Sequence, residues 1–410
     1  MTDDETNVRD GPPAGREPSR PALTTEPPLP IEPEATPRVA GRATPAAGGR
    51  ANLDPLRVAG KIASGVAALF LLVLSLQLMK SGAAAIAPTV RDSPLFSNGA
   101  STLGAGWLGA YLVLSGSPIA AVSLGLFSGG AITELQTFTM LSGSRLGASF
   151  VVLLVGFLYS VRNRGANREE SVGMGILALT LTAIVYVPGM AIGYGILRAG
   201  LLDGIRWKTS GEVTSVVDFI WGPTQRVITD MLPGWLLLPA GLGVILLSFK
   251  LLDRVLPQVS GTQITGRRAE WLKRPWPMFA LGCLVATLTL SVSVALVVLV
   301  PLASRGYVKR DESVPYIMGA NITTLADTLV AAMLLRNAGA VQIVLAQAFA
   351  VFLVSVFYLA LAYAPMKRSV LGLNDRLVAS NRRLWVFVVV LLATPAILLT
   401  SGLWLGPFTR

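Results

Sequence analysis

The sequence predicts an all-α polytopic membrane protein with two related repeats of the inverted type, whose helices are broken or re-entrant. Three observations predict this class: an apolar composition, several long apolar stretches, and a duplicated pattern of small and polar residues. Of the 410 residues, 52% are hydrophobic and 14% are charged, which is typical of a polytopic membrane protein. A spanning helix needs roughly 20 mostly apolar residues. The stretches that meet or approach this length are 60–83, 147–161, 174–197, 234–256, 277–303, 339–364 and 384–405.

The net charge of +11 comes largely from short basic loops between these stretches. This pattern sets the topology of membrane proteins and places basic loops in the cytoplasm. The sequence therefore predicts a lipid bilayer as a partner and no nucleic acid, in a multi-pass protein of the plasma (cell inner) membrane. The chain has no His and one cysteine, Cys283. The usual general base and the usual metal ligands are missing, so neither an enzyme nor a metal site is expected.

The sequence predicts four regions along the chain. Residues 1–53 hold ten of the 26 prolines and few large apolar residues, which predicts a disordered tail. Residues 54–199 are predicted to be the first transmembrane repeat, and residues 233–410 the second repeat with a final helix. Residues 200–232 form an amphipathic linker that either lies on the membrane surface or simply joins the halves.

The two repeats are predicted from residues 114–149 and 290–325, which align without gaps at a separation of 176 positions. Leu-Ser-x-Ser occurs at the start of both copies, and Gly143 corresponds to Gly319. The preceding helices share a phrase, VLSLQLMK and LLSFKLLD. Two such halves are typical of secondary transporters, although apolar helices that contain Ser and Gly also resemble one another by chance.

The paired serines mark the predicted helix breaks. In the first copy, Gly116 and Pro118 favour a break beside Ser115 and Ser117. In the second copy, Ser291 and Ser293 have no such neighbours. A broken helix presents amide groups to anions and carbonyl groups to cations, and Ser hydroxyls are suitable ligands for Na⁺. The alternative is that each Ser bonds back to its own helix.

The second polar stretch, VPYIMGANITTLADTL at 314–329, is predicted to be a helix interrupted at the midplane, with Pro315 and Gly319 as backbone breakers. It contains an acidic residue, Asp327. A carboxylate costs at least about 2.5–3.5 kcal/mol at the centre of a membrane helix, so it should face a cavity, a cation or a basic partner. Helical spacing places Thr323, Thr324 and Asp327 on one face. Alternatively, Asp327 lies solvated near an interface or pairs with an Arg. Arg145 in the equivalent stretch is a candidate for holding an anion, for pairing with a carboxylate such as Asp327, or for lying in water.

Several of these stretches resemble the sodium–phosphate cotransporter family. PYIMGANITT at 315–324 is similar to the second of its two GANIGTT-type motifs, and LVPLASRG at 299–306 also fits. The resemblance covers roughly residues 60–365. The chain departs from the family at Leu114 and Leu290, where the family has Gln, and at Thr323, where it has Gly. In the first motif, GSRLGAS, Arg145 replaces Asn.

The resemblance implies a secondary active transporter that couples Na⁺ to symport of inorganic phosphate or a similar small anion. Na⁺ acts as the coupling ion, and no other cofactor is implied. Two alternatives remain: the same fold moving another solute, or a non-transporting membrane scaffold or regulatory protein. The oligomeric state is not readable. The candidate substrate and ion-binding residues are Ser115, Ser117, Ser144, Arg145, Ser149, Ser291, Ser293, Gly319, Asn321, Thr323, Thr324 and Asp327.

Overall fold

The computed structural model describes residues 55–162, 168–204, 211–255, 274–289, 292–297, 299–304 and 308–404. The predicted tail and Ser291 lie outside these ranges, and Ser293 is described by its backbone alone. The chain divides into Met1–Leu53 and Asp54–Arg410, and only the second unit is described below.

Every regular element within the described ranges is helical, which agrees with the predicted all-α class. The α-helices are α1 (Pro55–Asp92), α2 (Gly99–Val113), α3 (Gly116–Ser128), α4 (Glu134–Ala148), α5 (Phe150–Arg162), α6 (Arg168–Arg198), α7 (Gly211–Met231), α8 (Gly234–Val255), α9 (Pro275–Thr289), α10 (Val292–Val297), α11 (Leu299–Ser304), α12 (Arg310–Thr323), α13 (Leu325–Leu334), α14 (Ala338–Leu361), α15 (Tyr363–Val378) and α16 (Asn381–Trp404).

Seven segments within the described ranges are long and apolar enough to cross a membrane. They make the chain an integral multi-pass membrane protein. The segments are Ala59–Asp92, Glu134–Arg162, Glu169–Arg198, Gly234–Leu252, Arg310–Leu334, Ala338–Leu361 and Asn381–Trp404. The sequence prediction of a span at 147–161 is too short, because α4 and α5 run together through Ser149.

The segment Arg310–Leu334 contains the polar stretch that the sequence predicted to be an interrupted helix. Pro315 lies inside α12 and does not end it. The junction between α12 and α13 is Thr324, whose φ of −66° and ψ of −15° remain helical. Only Thr324 separates the two helices, and its backbone keeps the dihedral angles of a helix. The unwinding expected from the sequence is therefore limited to this one residue.

Helices α2 and α3 form a hairpin, and the predicted break between them is present. α2 begins at a capping box between Asn98 and Ser101 and ends where Leu114 adopts a left-handed conformation with φ of 55°. Ser115 is extended, and α3 then begins. The residue with the left-handed backbone is thus Leu114, two positions before Gly116, the glycine beside which the sequence predicted the break. Neither helix is long enough to cross a bilayer, since 15 residues extend about 22 Å.

The two ends of the helix bundle are named after an arginine at each end, Arg91 and Arg310. At the Arg91 end, the start of α2 and the end of α3 line one cavity together with the start of α4. At the Arg310 end, Arg310 bonds Glu170 of α6 and Asp375 of α15, with 3.0 Å between the charged atoms in both pairs.

The long helix α6 shows that α4 and α12 approach the middle from opposite ends. At the Arg310 end, α12 begins beside α6, and 11 residues later Asn321 lies within 3.1 Å of Thr182, so these helices run parallel. Near the Arg91 end, the Phe138 ring of α4 packs on Gly193, whereas Gly156 of α5 packs on Ser171. The continuous α4–α5 segment therefore runs antiparallel to α6, and also antiparallel to α12.

Close helix crossings position α4 and α12. In the first crossing, a methyl group on Gly106 of α2 would overlap the Met140 carbonyl oxygen, and one on Gly143 of α4 would overlap the Leu103 carbonyl oxygen. Glycine is required here because the two backbones touch.

The crossing of α9 and α12 has the same construction. A methyl group on Gly282 of α9 would overlap the Tyr316 carbonyl oxygen, and one on Gly319 of α12 would overlap the Phe279 carbonyl oxygen. Gly319, predicted as a binding residue, therefore has a packing role in this crossing.

The described part of the linker forms α7, which packs beside α1. The indole Nε1 of Trp221 donates to the Phe70 carbonyl oxygen at 2.8 Å, and the two rings stack with centroids 5.5 Å apart. Phe219 and Met231 on this helix are largely exposed. The linker therefore contributes a helix to the edge of the bundle.

Candidate functional site

The centre of the candidate site is a buried ion pair between the two polar stretches. Arg145 lies in the last turn of α4, and Asp327 lies in the first turn of α13. The guanidinium Nη2 is 3.4 Å from the carboxylate Oδ1, and the two side chains are only 2% and 5% exposed. Of the alternatives left open by the sequence, the structure selects the pairing of Arg145 with Asp327.

Thr328 connects the two charges. The guanidinium Nη2 of Arg145 donates to the Thr328 hydroxyl oxygen, and that hydroxyl donates to Asp327 Oδ1 at 2.9 Å. The Thr328 backbone N–H donates to the same carboxylate oxygen at 2.6 Å. The carboxylate is therefore held from one side only, through Oδ1.

The N-terminus of α3 adds a third component. Ser117 Oγ lies 3.5 Å from Arg145 Nη1, near the limit of a hydrogen bond. Ser115, the N-cap residue, makes no side-chain capping bond. The positive end of the α3 dipole and the guanidinium thus lie in one place, opposed by the carboxylate of Asp327.

Three buried polar atoms at this centre have no hydrogen-bond partner among the described residues: Arg145 Nε, Asp327 Oδ2 and Thr323 Oγ1. Most buried polar atoms in proteins are hydrogen-bonded, and an unpaired one needs an explanation. The attraction between full charges at 3.4 Å is about 5 kcal/mol at an effective dielectric constant of roughly 20. The centre therefore combines a strong ion pair with polar atoms that can bind a further ligand.

Asn321, which corresponds to Arg145 in the sequence alignment, occupies a different environment. Its side-chain Nδ2 donates to Thr182 Oγ1 at 3.1 Å, and its backbone carbonyl oxygen accepts from Tyr186 OH at 2.9 Å. Thr324 Oγ1 also donates to that carbonyl, at 3.0 Å. Asn321 is thus anchored to α6 through neutral hydrogen bonds.

The remaining predicted residues lie in several places. Ser144 and Ser149 are buried, and each hydroxyl donates to a carbonyl of its own helix at 2.7 Å. For these two residues the structure shows the alternative of local back-bonding. Contacts bring Ser117, Arg145 and Asp327 together, and Thr323 lies one helical turn before Asp327. Ser291 lies outside the described residues, and Ser293 is described by its backbone alone.

Comparison with known protein families found a match in the second half of the chain. Residues 244–374 match the Na⁺/Pi-cotransporter family model. The match supports the resemblance to this family over that part of the chain. Na⁺/Pi cotransporters are transporters and not enzymes, as the sequence predicted. Neither a search of curated proteins nor a search of solved structures found a match.

The Na⁺/Pi-cotransporter match contains one side of the ion pair and not the other. Asn321, Asp327 and Thr328 fall within residues 244–374, whereas Arg145 and Ser117 lie before them. The centre is therefore completed by a part of the chain that the family match does not cover.

Sequence reasoning missed three residues at or beside the centre. Thr328 directly follows the predicted residue Asp327, and its hydroxyl group beside that carboxylate is a signal that the sequence offers. Thr182 and Tyr186 are four residues apart in an apolar helix, so they share one face. That spacing is a usable signal, but nothing local shows that the face meets Asn321, which is 139 positions from Thr182.

Other features of the described residues are separate from this centre. A cavity of about 980 Å³ at the Arg91 end is lined by residues that include Asn98, Phe127 and Thr133, and none of the predicted site residues contributes to it. No group of three or more His, Cys, Asp or Glu side chains suited to a metal occurs in the described part of the chain.

Proposed function

We propose that the protein is a Na⁺-coupled symporter of inorganic phosphate or a similar small anion, with the Arg145–Asp327 centre as its solute site. The observation that carries this proposal is the buried ion pair, in which each member has a polar atom without a hydrogen-bond partner among the residues that the structure describes. Ionisable residues inside a membrane favour a functional role, and the family match supports phosphate as the class of solute.

The helix bounds support two related halves. Counting 176 positions forward from α2 gives the bounds of α9, and from α3 it gives the outer bounds of α10 and α11. From α4 it gives α12 within one residue. The touching glycines occur at the same separation, which supports equivalent crossings. The equivalent glycines are Gly106 with Gly282 and Gly143 with Gly319.

The opposite directions of α4 and α12 along α6 support an inverted relation between these halves. Inverted repeats place their solute site near the midplane, where the ends of discontinuous helices meet. Arg145 comes from the first half and Asp327 from the second, so the ion pair lies at the junction that alternating access requires.

The chemistry on the two sides of the pair fits an anion and a cation. A guanidinium offers a planar set of donors that matches the oxygens of phosphate, and the α3 N-terminus adds further positive potential. Asp327 Oδ2 and Thr323 Oγ1 are hard oxygen atoms suited to Na⁺. Arg145 thus supplies an anion contact in a chain that lacks both family Gln residues.

The ion pairs of the Arg310 end support a closed state on that side. Arg310 bridges α6 and α15 from the first turn of α12. The cavity lies at the Arg91 end. Lys and Arg side chains are concentrated near the Arg310 end, so we place that end in the cytoplasm.

Uptake of radiolabelled phosphate into proteoliposomes tests this function. An inward Na⁺ gradient should drive concentrative uptake by the wild-type protein, and replacement of Na⁺ by K⁺ should abolish it. Asp327→Ala should abolish uptake, whereas the matched control Asp311→Asn, which removes an acidic charge from an ion pair outside the centre, should transport normally.

The same assay separates the alternatives. Uptake of another labelled anion, such as sulfate, without uptake of phosphate would keep the transporter and replace its solute. A folded protein that moves none of the tested anions under any cation gradient would contradict transport and favour a membrane scaffold.

A further inference from the structure

We infer that the Arg145–Asp327 pair is an exchangeable latch that couples the two solutes: Na⁺ takes over Asp327, and the released Arg145 takes the anion. The inference rests on the proposed function and specifies how the two binding events depend on one another. The latch joins α4 to α13, so its opening also releases a contact between the two halves.

The charge balance of the buried centre gives the reason. One guanidinium and one carboxylate neutralise each other within 3.4 Å, at 2% and 5% exposure. An anion that arrives alone must displace Asp327 and leave a buried carboxylate without a positive charge beside it. A cation that arrives alone leaves a buried guanidinium without its ion-pair partner. Isolated buried charges are strongly disfavoured, so the occupied centre is stable when both solutes are present.

The contact geometry allows this exchange. Asp327 uses Oδ1 for Arg145 and Thr328, while Oδ2 has no partner among the described residues. Arg145 directs Nη2 to the latch, while its buried Nε has none. Each member therefore has a buried polar atom available to a new ligand before the old contact breaks.

Thr328 and Thr323 have different roles in this scheme. The Thr328 hydroxyl accepts from the guanidinium and donates to the carboxylate, so it stabilises the latched state. Thr323 lies one helical turn before Asp327, and its buried hydroxyl has no hydrogen-bond partner in the described part of the chain. It is positioned to serve the cation in the unlatched state.

A purely structural ion pair predicts something different. In that case, removal of either member would lower stability, but the dependence of phosphate binding on Na⁺ would remain. The latch instead predicts that neutralising Asp327 while keeping its shape frees Arg145 permanently. Phosphate would then bind without Na⁺.

The test is equilibrium binding of radiolabelled phosphate to purified protein, titrated with NaCl against choline chloride at constant ionic strength. Saturating Na⁺ should raise the phosphate affinity of the wild type by about 5- to 150-fold, the usual range for coupled sites. In Asp327→Asn the Na⁺ effect should fall below about twofold, with the high affinity already present in choline chloride. The control Asp311→Asn should keep the wild-type dependence.

Binding of ²²Na⁺ provides a second measurement that needs no variant at the centre. Linkage requires phosphate to raise the Na⁺ affinity of the wild type by the same factor by which Na⁺ raises the phosphate affinity. This reciprocity keeps the inference testable if Asp327→Asn does not fold. Equal Na⁺ affinity with and without phosphate would overturn the latch.

The outcomes separate the inference from the proposed function. If wild-type phosphate binding depends on Na⁺ and Asp327→Asn keeps that dependence, the latch is wrong and the symport function stands. If the wild type binds phosphate equally in NaCl and choline chloride, or does not bind it, both proposals are wrong.

Discussion

The α2–α4 and α9–α12 crossings are built alike, yet they carry unlike residues to the middle of the molecule. Both crossings bring backbones into contact through two glycines. Beyond them, α4 presents Arg145 to a carboxylate, whereas α12 presents Asn321 to neutral groups of α6. Only glycine fits where the backbones touch, but the residue two positions after Gly143 or Gly319 can differ between the two crossings. Two crossings of similar construction can therefore hold an asymmetric site.

The largest expected effect concerns the charged side of this comparison. Arg145→Leu and Asp327→Leu should each lower the free energy of unfolding by about 3–5 kcal/mol, because each leaves a buried charge unpaired. The double variant should regain most of that loss, since no charge remains. Thermal unfolding in detergent measures the stability, and uptake should be lost in all three variants. A double variant as unstable as the single ones, or one that transports phosphate, would contradict this account.

The shared scaffold is tested next by matched glycine substitutions. Gly143→Ala and Gly319→Ala should destabilise the protein by similar amounts, about 1–3 kcal/mol, because each methyl group meets a carbonyl oxygen of the neighbouring helix. Gly195→Ala in α6 is the control, since no atom lies near its added methyl group. It should be neutral or slightly stabilising. Unequal losses for the first two variants would show that the crossings are not equivalent.

The neutral side of the comparison should give a smaller effect. Asn321→Ala and Thr182→Val should each cost about 0.5–1.5 kcal/mol, the usual contribution of a neutral hydrogen bond. A double-mutant cycle on thermal stability should show that the two losses are not additive, since both remove one contact. A loss for Asn321→Ala as large as that for Arg145→Leu would mean that the two positions are energetically alike.

The smallest effect is expected at the Arg310 end. Lys367 and Asp311 are 28% and 43% exposed, so Lys367→Gln should change the stability by no more than about 1 kcal/mol. Phosphate uptake should be unchanged, and high salt should remove the difference between variant and wild type. Loss of uptake in this variant would show that ion pairs outside the centre also control transport.

The sequence predicted the helical class, the membrane location and one helix break, since these depend on local composition. The polar pair around Gly116 marked the first break correctly to within two residues. The second polar stretch was overinterpreted. Pro315 and Gly319 predict an interruption there, but a membrane helix accommodates Pro within its length, and Gly319 serves the contact between α9 and α12.

The pairing at the centre was beyond local reasoning. Arg145 and Asp327 are 182 positions apart, so their contact depends on how α4 and α13 meet. The sequence identified both residues as unusual charges and left pairing as one alternative among several. Ser144 and Ser149 show the converse, because their side chains bond locally although their positions matched the expected site.

The most direct test of the central claim is the protection of Ser117→Cys from a thiol reagent in reconstituted protein, in a Cys283→Ser background that retains uptake. Ser117 lies beside Arg145, so a solute bound at the centre should cover it. We predict that Na⁺ and phosphate together slow the labelling strongly, whereas phosphate without Na⁺ has little effect. Equal labelling rates with and without both solutes, in a variant that still transports phosphate, would show that the solute path lies elsewhere.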